Sequence, residues 1–227
     1  MRSLELGDMQ IVARVDNDSL PPPRLLKCLA VIAERLHPEF SRPIYEHGHP
    51  DKSKESCILS SLTVRDFLRA SGFPRARVQP IQVMMEARKD EKILHALGIG
   101  HPEATGPGWT GHLVAITNRW IVDTTLYQAI RPAWPHLPGM MCVPIEPGAR
   151  RIHGYKVLAA LLLEEGDYSN TVVWCDDPRN TGWAKAPDSQ PARRAPVVKH
   201  LIETLKQQGE DDGEVVDPRA AGCGASN

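Results

Sequence analysis

The stretch from Trp109 to Thr125 constrains this chain most. It holds two runs of strand-forming residues, His112–Thr117 and Trp120–Asp123, separated by Asn118 and Arg119. A period of two puts His112, Val114 and Ile116 on one face and Leu113, Ala115 and Thr117 on the other. Asn tolerates positive φ, so Asn118-Arg119 reads as a two-residue hairpin turn. Register follows by counting. Thr117 faces Trp120, Ile116 faces Ile121, and His112 faces Thr125, with Asp123 its diagonal neighbour on the same face. Diagonal neighbours sit about 7–8 Å apart at the backbone, within reach of long side chains. A turn of odd length would set His112 opposite Thr124 and send Asp123 to the other face. A carboxylate on one imidazole nitrogen fixes the tautomer and leaves the other nitrogen as a base. The competing reading is a His and an Asp satisfied locally, with Asp123 capping the turn at Thr124-Thr125.

The chain around this hairpin is long enough, and at 41% apolar residues rich enough, to bury a sizeable core. A net charge of −1 argues against a general nucleic-acid binder, and the short clusters Arg150-Arg151 and Arg193-Arg194 read as solvated surface. No apolar run approaches the roughly 18 residues of a membrane span. The first residues have no apolar core of a signal peptide, so cytoplasmic residence is expected. Five cysteines, an odd number with no CxxC pair, read as reduced thiols and not as a disulfide framework.

Along the chain, residues 4–15 alternate weakly, as an edge strand or unpaired lead-in. Arg24–Leu36 reads as a helix with Leu25, Leu29, Ile32 and Leu36 on one stripe, Cys28 beside it as a core thiol, and His37-Pro38 as its end. Residues 38–54 are loop-like. Glu55–Ser71 reads as a second helix with Leu59, Leu62, Phe67 and Leu68 inward, Ser53 or Ser56 as its cap, and Gly72 at its C-terminal stop. Val78–Ala87 reads as a strand placed near an edge by Pro80, and Arg88–Leu97 as a short helix. Met140–Ile145, Tyr155–Leu163 and Thr171–Cys175 read as strands, with a turn over Gly166–Asn170. Pro196–Lys206 reads as a last helix with Val198, Leu201, Ile202 and Leu205 inward. Residues 1–207 are read as one α+β domain, and residues 208–227, acidic and Gly-rich, as a disordered tail whose removal leaves the melting temperature nearly unchanged.

Either cap puts Cys57 in or near the first turn of its helix, at the positive end of the helix dipole, which favours a reactive thiolate. Its backbone N–H is one of the unpaired donors of that turn and can point at a developing oxyanion. A nucleophilic Cys needs a base, and the base an orienting group. Cys57, His112 and Asp123 supply these in chain order. The opposing readings are a buried structural thiol at Cys57, and a metal site built from His47, His49, His112 and Cys57. Asp176 and Asp177 are adjacent and point apart on a strand, which favours a loop role over paired acid–base work.

The layout resembles the transglutaminase-like superfamily within the papain-like cysteine enzymes. Three stretches over about residues 24–145 carry the resemblance. Cys57 opens a helix that ends in Ala70-Ser71-Gly72-Phe73-Pro74-Arg75-Ala76-Arg77-Val78. Gly111-His112-Leu113-Val114-Ala115-Ile116 is similar to the family's histidine strand. Trp120-Ile121-Val122-Asp123-Thr124-Thr125 is similar to its strand ending in Asp. Glu55-Ser56 precede Cys57 where the family often has Gly or Trp, and the Arg-Gly-Gly-x-Cys signature of arylamine N-acetyltransferases is absent. The resemblance implies a papain-like core of N-terminal helices against an antiparallel sheet, to which the strands and helix read over residues 146–207 are additions. It implies Cys57 as nucleophile, His112 as base and Asp123 as orienting group, and a peptide, protein or small amide as substrate, with no cofactor. Protease, deamidase, amidase and transamidase share this plan. Gln79, Gln82 and Tyr45 are candidate oxyanion partners. The rival functions are a non-catalytic protein-binding module using the hairpin and the loop near Trp183, and a His/Cys metal binder. The enzyme reading requires the Cys57 sulfur near hydrogen-bond reach of His112, beside a cleft.

Overall fold

The computed structural model describes residues 2–13, 20–40, 52–90, 92–99, 109–130 and 137–211. These residues form an α+β structure of four α-helices and one ten-stranded sheet. Arg2–Leu6 (β1) and Met9–Ala13 (β2) make an opening hairpin where an edge strand or lead-in is expected; Gly7 turns it at φ 54°. Pro23–Phe40 (α1) runs past the expected stop. Pro38 removes one backbone donor, but the last turn is held by the buried Phe40 and by Glu39, which pairs with His200 at 3.2 Å. Lys52–Glu55 (α2) and Cys57–Ala70 (α3) replace the single helix expected from Glu55, with Ser56 between them. Ser71 and Gly72, the latter at φ 94°, end α3 as expected.

Arg77–Lys89 (β3) is the long central strand, correcting its placement near an edge. Pro80 is tolerated because Ile81–Asp176 is the last pair with the strand Tyr168–Asp176 (β10). The Pro80 carbonyl accepts from the Asp177 N–H on that side, so the missing donor falls just beyond the ladder's end. Lys92–Ile99 (β4) is a strand where a short helix is expected. It folds back on β3 after Asp90, at φ 47°, and pairs Lys92 with Lys89 and Gly98 with Met84. Its neighbours Ile93 and Leu94 are both exposed, so no buried face marks its period in the sequence.

His112–Thr117 (β5) and Trp120–Asp123 (β6) form the central hairpin. Met140–Pro144 (β7) flanks β6 and pairs in parallel with β2. Apart from that one parallel pair, the pairings among the described residues are antiparallel, as expected. Arg151–Ile152 (β8), Tyr155–Glu165 (β9) and β10 complete the sheet, with Gly166-Asp167 as a tighter turn than the expected Gly166–Asn170. The order is β1-β2-β7-β6-β5-β3-β10-β9-β8, with β4 also on β3. Val12 from one end and Leu158 and Leu161 from the other share one apolar cluster with Val114, Ile116, Ile121 and Trp174, so the sheet curls around its inner face. Its outer face, through Met9, Ile11, Ala115, Trp120, Val122 and Cys142, packs on the helices. Ala195–Asp211 (α4) joins that layer. Val197, Leu201 and Thr204 are its most buried positions, with Val198 half-buried. The helix continues through residues 208–211, which correct the start of the expected tail; residues 212–227 lie outside the described residues. No helix among the described residues is long and apolar enough to cross a membrane.

Candidate active site

The central hairpin has the register that parity requires. Thr117 pairs with Trp120, Ile116 with Ile121 and Ala115 with Val122, around a two-residue turn in which Asn118 takes φ 51°. Val114 and Ile116 lie in the inner cluster, and His112 and Asp123 share their parity. Both side chains are fully buried, and they meet: His112 Nε2 lies 3.0 Å from each Asp123 carboxylate oxygen. Asp123 also accepts the Trp174 indole N–H at 2.9 Å and the Thr125 backbone N–H at 3.2 Å. It therefore holds His112 and caps the following turn at once, so the two sequence readings of Asp123 coexist.

Trp174 has no local signal linking it to Asp123. It comes from β10, three positions from β6 in the sheet order, and reaches across the curled inner face. A bulge in β9 helps that curvature. Trp174 pairs with Ala159 and Cys175 with Val157, which leaves Leu158 as an extra residue. Consecutive Leu158 and Ala159 consequently both belong to the inner cluster.

Burial alone disfavours a charged His112. The Asp123 carboxylate overcomes that by charge and hydrogen bond, Cys57 adds to it, and the imidazole is pushed up to about 10. Its Nδ1 is buried and, apart from the Cys57 side chain, has no hydrogen-bond partner among the described residues. With Nε2 committed to Asp123, Nδ1 is the nitrogen left for the Cys57 sulfur.

Cys57 is the first residue of α3, and Ser56 is its N-cap, with its hydroxyl accepting the Leu59 N–H at 3.2 Å. The thiol is only 6% exposed, and its Sγ lies 3.9 Å from the Gly111 carbonyl. Leu113, Ile58 and Leu62 pack beside it, with Val78, Trp109, Trp183 and Ala186 around them. Among the described residues these side chains form an apolar cover over Cys57 where an open cleft is expected. Trp109 leans over Gly111, where a Cβ would fall 2.2 Å from its ring. Its indole N–H donates to Asn180, whose amide donates to the Thr110 carbonyl at 3.1 Å. The cover is tied to the Cys57 helix, because the Ser56 hydroxyl donates to Asp188 at 2.5 Å and Asp188 pairs with Arg193. A cavity of about 420 Å³ lies elsewhere, lined by Asp8, Gln10 and Tyr127 among others and by no member of the Cys57 cluster.

Burial pushes the thiols of Cys28, Cys142 and Cys175 up, that of Cys175 to about 11, which leaves them protonated and inert at neutral pH. The Gln79 and Gln82 side chains donate to Asp176 at 2.7 Å and Asp177 at 3.5 Å, so their amides are engaged away from Cys57. Tyr45, His47 and His49 lie outside the described residues. Among the described residues no three His, Cys, Asp or Glu side chains cluster so as to hold a metal ion. Trp183, which the sequence marks only as part of a rival docking loop, packs against the Cys57 cluster. Its indole N–H is buried and has no hydrogen-bond partner among the described residues. No protein-family model, curated protein or solved structure matches this chain.

Proposed function

We propose that this protein is a cysteine-dependent acyl-transfer enzyme with a papain-like, transglutaminase-like core, acting on amide-type bonds through Cys57, His112 and Asp123. One observation carries the reading. A fully buried His112–Asp123 pair leaves one imidazole nitrogen with no partner among the described residues but the side chain of Cys57, the first residue of a helix.

In the proposed cycle the reacting form of the site pairs an imidazolium with the Cys57 thiolate. The sulfur attacks the substrate carbonyl carbon, forming a C–S bond and an oxyanion. The Cys57 backbone N–H, an unpaired donor of the first helical turn, and the Trp183 indole N–H are the donors offered to that oxyanion. His112 Nδ1–H gives its proton to the leaving amine as the C–N bond breaks, which leaves a thioester and a neutral imidazole. Water or an amine then attacks the thioester, Nδ1 takes its proton, and the thiolate departs. Asp123 holds His112 in orientation throughout and stabilises its charge. Substrate entry requires the cover of Trp109, Trp183 and residues 186–193 to move, which fits gating by surface segments.

The test is acyl-enzyme trapping. The intact protein is mixed with a panel of activated amide, ester and thioester acyl donors and examined by mass spectrometry, with peptide mapping. The reading expects one acyl group on Cys57, lost in Cys57→Ala and strongly reduced in His112→Ala. Acylation of wild type that survives Cys57→Ala, or none with any donor, contradicts it.

A further inference from the structure

We infer that His37 is a positioning residue for this site, a buried clamp that sets the Cys57 helix against the His112–Asp123 hairpin. The inference rests on the acyl-transfer reading and adds a residue that the triad does not contain.

His37 is 4% exposed and lies near the end of α1. Its Nε2 is 2.8 Å from the Thr124 carbonyl, and its Nδ1 is 2.9 Å from the Ser53 hydroxyl. A carbonyl only accepts, so Nε2 carries the hydrogen and Nδ1 accepts from the serine. The tautomer is thereby determined, and one rigid ring joins two segments that differ greatly in chain position. Ser53 belongs to α2, immediately before the Ser56–Cys57 turn, and its carbonyl accepts from the Ser60 hydroxyl of α3 at 2.5 Å. Thr124 follows Asp123, and the next backbone N–H, that of Thr125, holds the Asp123 carboxylate. The clamp therefore grips the nucleophile's segment on one side and the orienting carboxylate's segment on the other.

Neighbouring contacts reinforce the same seam. The Tyr127 ring meets His37 edge-on at 5.3 Å, and the Lys54 ammonium lies 4.7 Å from the Tyr127 ring centre. Gln128 Nε2 donates to the Glu55 carbonyl at 2.8 Å. Residues 52–55 and 124–128 are thus joined next to both ends of the proposed machinery. Burial lowers His37 to about 4, so the ring is neutral at physiological pH, in agreement with one N–H and one bare nitrogen.

A misplacement of about 1 Å between reacting groups costs on the order of a hundredfold in rate. Loosening this clamp should therefore act on Cys57 without touching it. The experiment measures the rate at which iodoacetamide labels Cys57, read by peptide mapping against pH, in full-length wild type, His112→Ala, His37→Ala and His37→Gln. The Gln amide can still accept from Ser53 and donate to Thr124. Folding is followed by circular dichroism and melting temperature. His37→Ala, still folded at the assay temperature, should lose about tenfold or more in rate and take on the pH profile of His112→Ala. His37→Gln should recover most of the loss. A folded His37→Ala with the wild-type rate and profile, while His112→Ala is impaired, overturns the clamp and leaves the acyl-transfer reading standing. Coincident wild-type and His112→Ala profiles overturn both, since no pair exists to position. If His37→Ala does not fold, Ser53→Ala carries the test: a changed pH profile supports the clamp, and an unchanged one overturns it.

Discussion

Two buried histidines lie on either side of one short strand end, and they differ in charge. His112 faces Asp123 and is pushed up to about 10, whereas His37 faces a serine hydroxyl and a carbonyl and is lowered to about 4. Both pay for burial. His112 has a carboxylate hydrogen-bonded to its ring to offset it, whereas Asp8 acts on His37 only by its charge and is opposed by Lys54. The lesson is that burial does not decide a histidine's role; its partner does. A carboxylate makes it a cation available for proton transfer. Neutral partners on both nitrogens make it a fixed strut.

The largest expected effect breaks the charged member of that comparison. Asp123→Asn removes the counter-charge from a buried pair and should lower stability by about 3–5 kcal/mol, measured by urea denaturation. Acyl-enzyme formation should fall by about four orders of magnitude. The pair also shapes the stability curve. The folded pKa of His112 lies above its unfolded value, so its contribution is whole below the unfolded pKa of about 6.5 and is lost as pH rises toward 10. His37 acts at the opposite end. Its folded pKa lies below the unfolded one, so the unfolded chain takes up a proton first. Stability then falls as pH drops from about 6.5 toward 4. Melting temperature against pH should show both limbs, the alkaline one flattened in Asp123→Asn and the acid one in His37→Gln.

Trp174→Phe sharpens the comparison further by removing one N–H from Asp123 while leaving His112 in place. A hydrogen bond to a charged group contributes about 1.5–3 kcal/mol, and, because the Asp123 charge then falls more fully on the imidazole, the His112 alkaline limb should move to higher pH. Ser56→Ala is the smallest effect. Loss of the N-cap costs about 1 kcal/mol, and the contact to Asp188 goes with it. Hydrogen exchange in residues 182–193 should rise in that variant if the cover is tied down through Ser56.

Much of the hairpin was legible because its information is local. An even turn with Asn118 at positive φ decides which face Asp123 takes, and nothing distant overrides it. Ser56 as N-cap is local in the same way. Partners from elsewhere in the chain were not legible. Trp174 reaches Asp123 from a separation of 51 residues, and His37 reaches Thr124 from 87. His37 even stood next to Pro38 as part of a helix stop, yet the helix runs on because its last turn is buried. Strand β4 has no alternating signal because the consecutive Ile93 and Leu94 are both exposed. Pro80 signalled an edge, whereas β3 is central and only one short part of its β10 flank lacks a partner.

Everything proposed for this site turns on the charge of His112, which nitrogen NMR of the two imidazoles at neutral pH reads out. With ¹⁵N-labelled histidine, assigned by His112→Ala and His37→Gln, both ring nitrogens of His112 should show protonated shifts. His37 should show one protonated nitrogen, Nε2, and one bare nitrogen, Nδ1. The His112 signals should hold from about pH 6 to 8, below the folded pKa of about 10. A bare Nδ1 on His112 throughout that range would contradict the account, because the pair would then be a neutral histidine resting on a carboxylate.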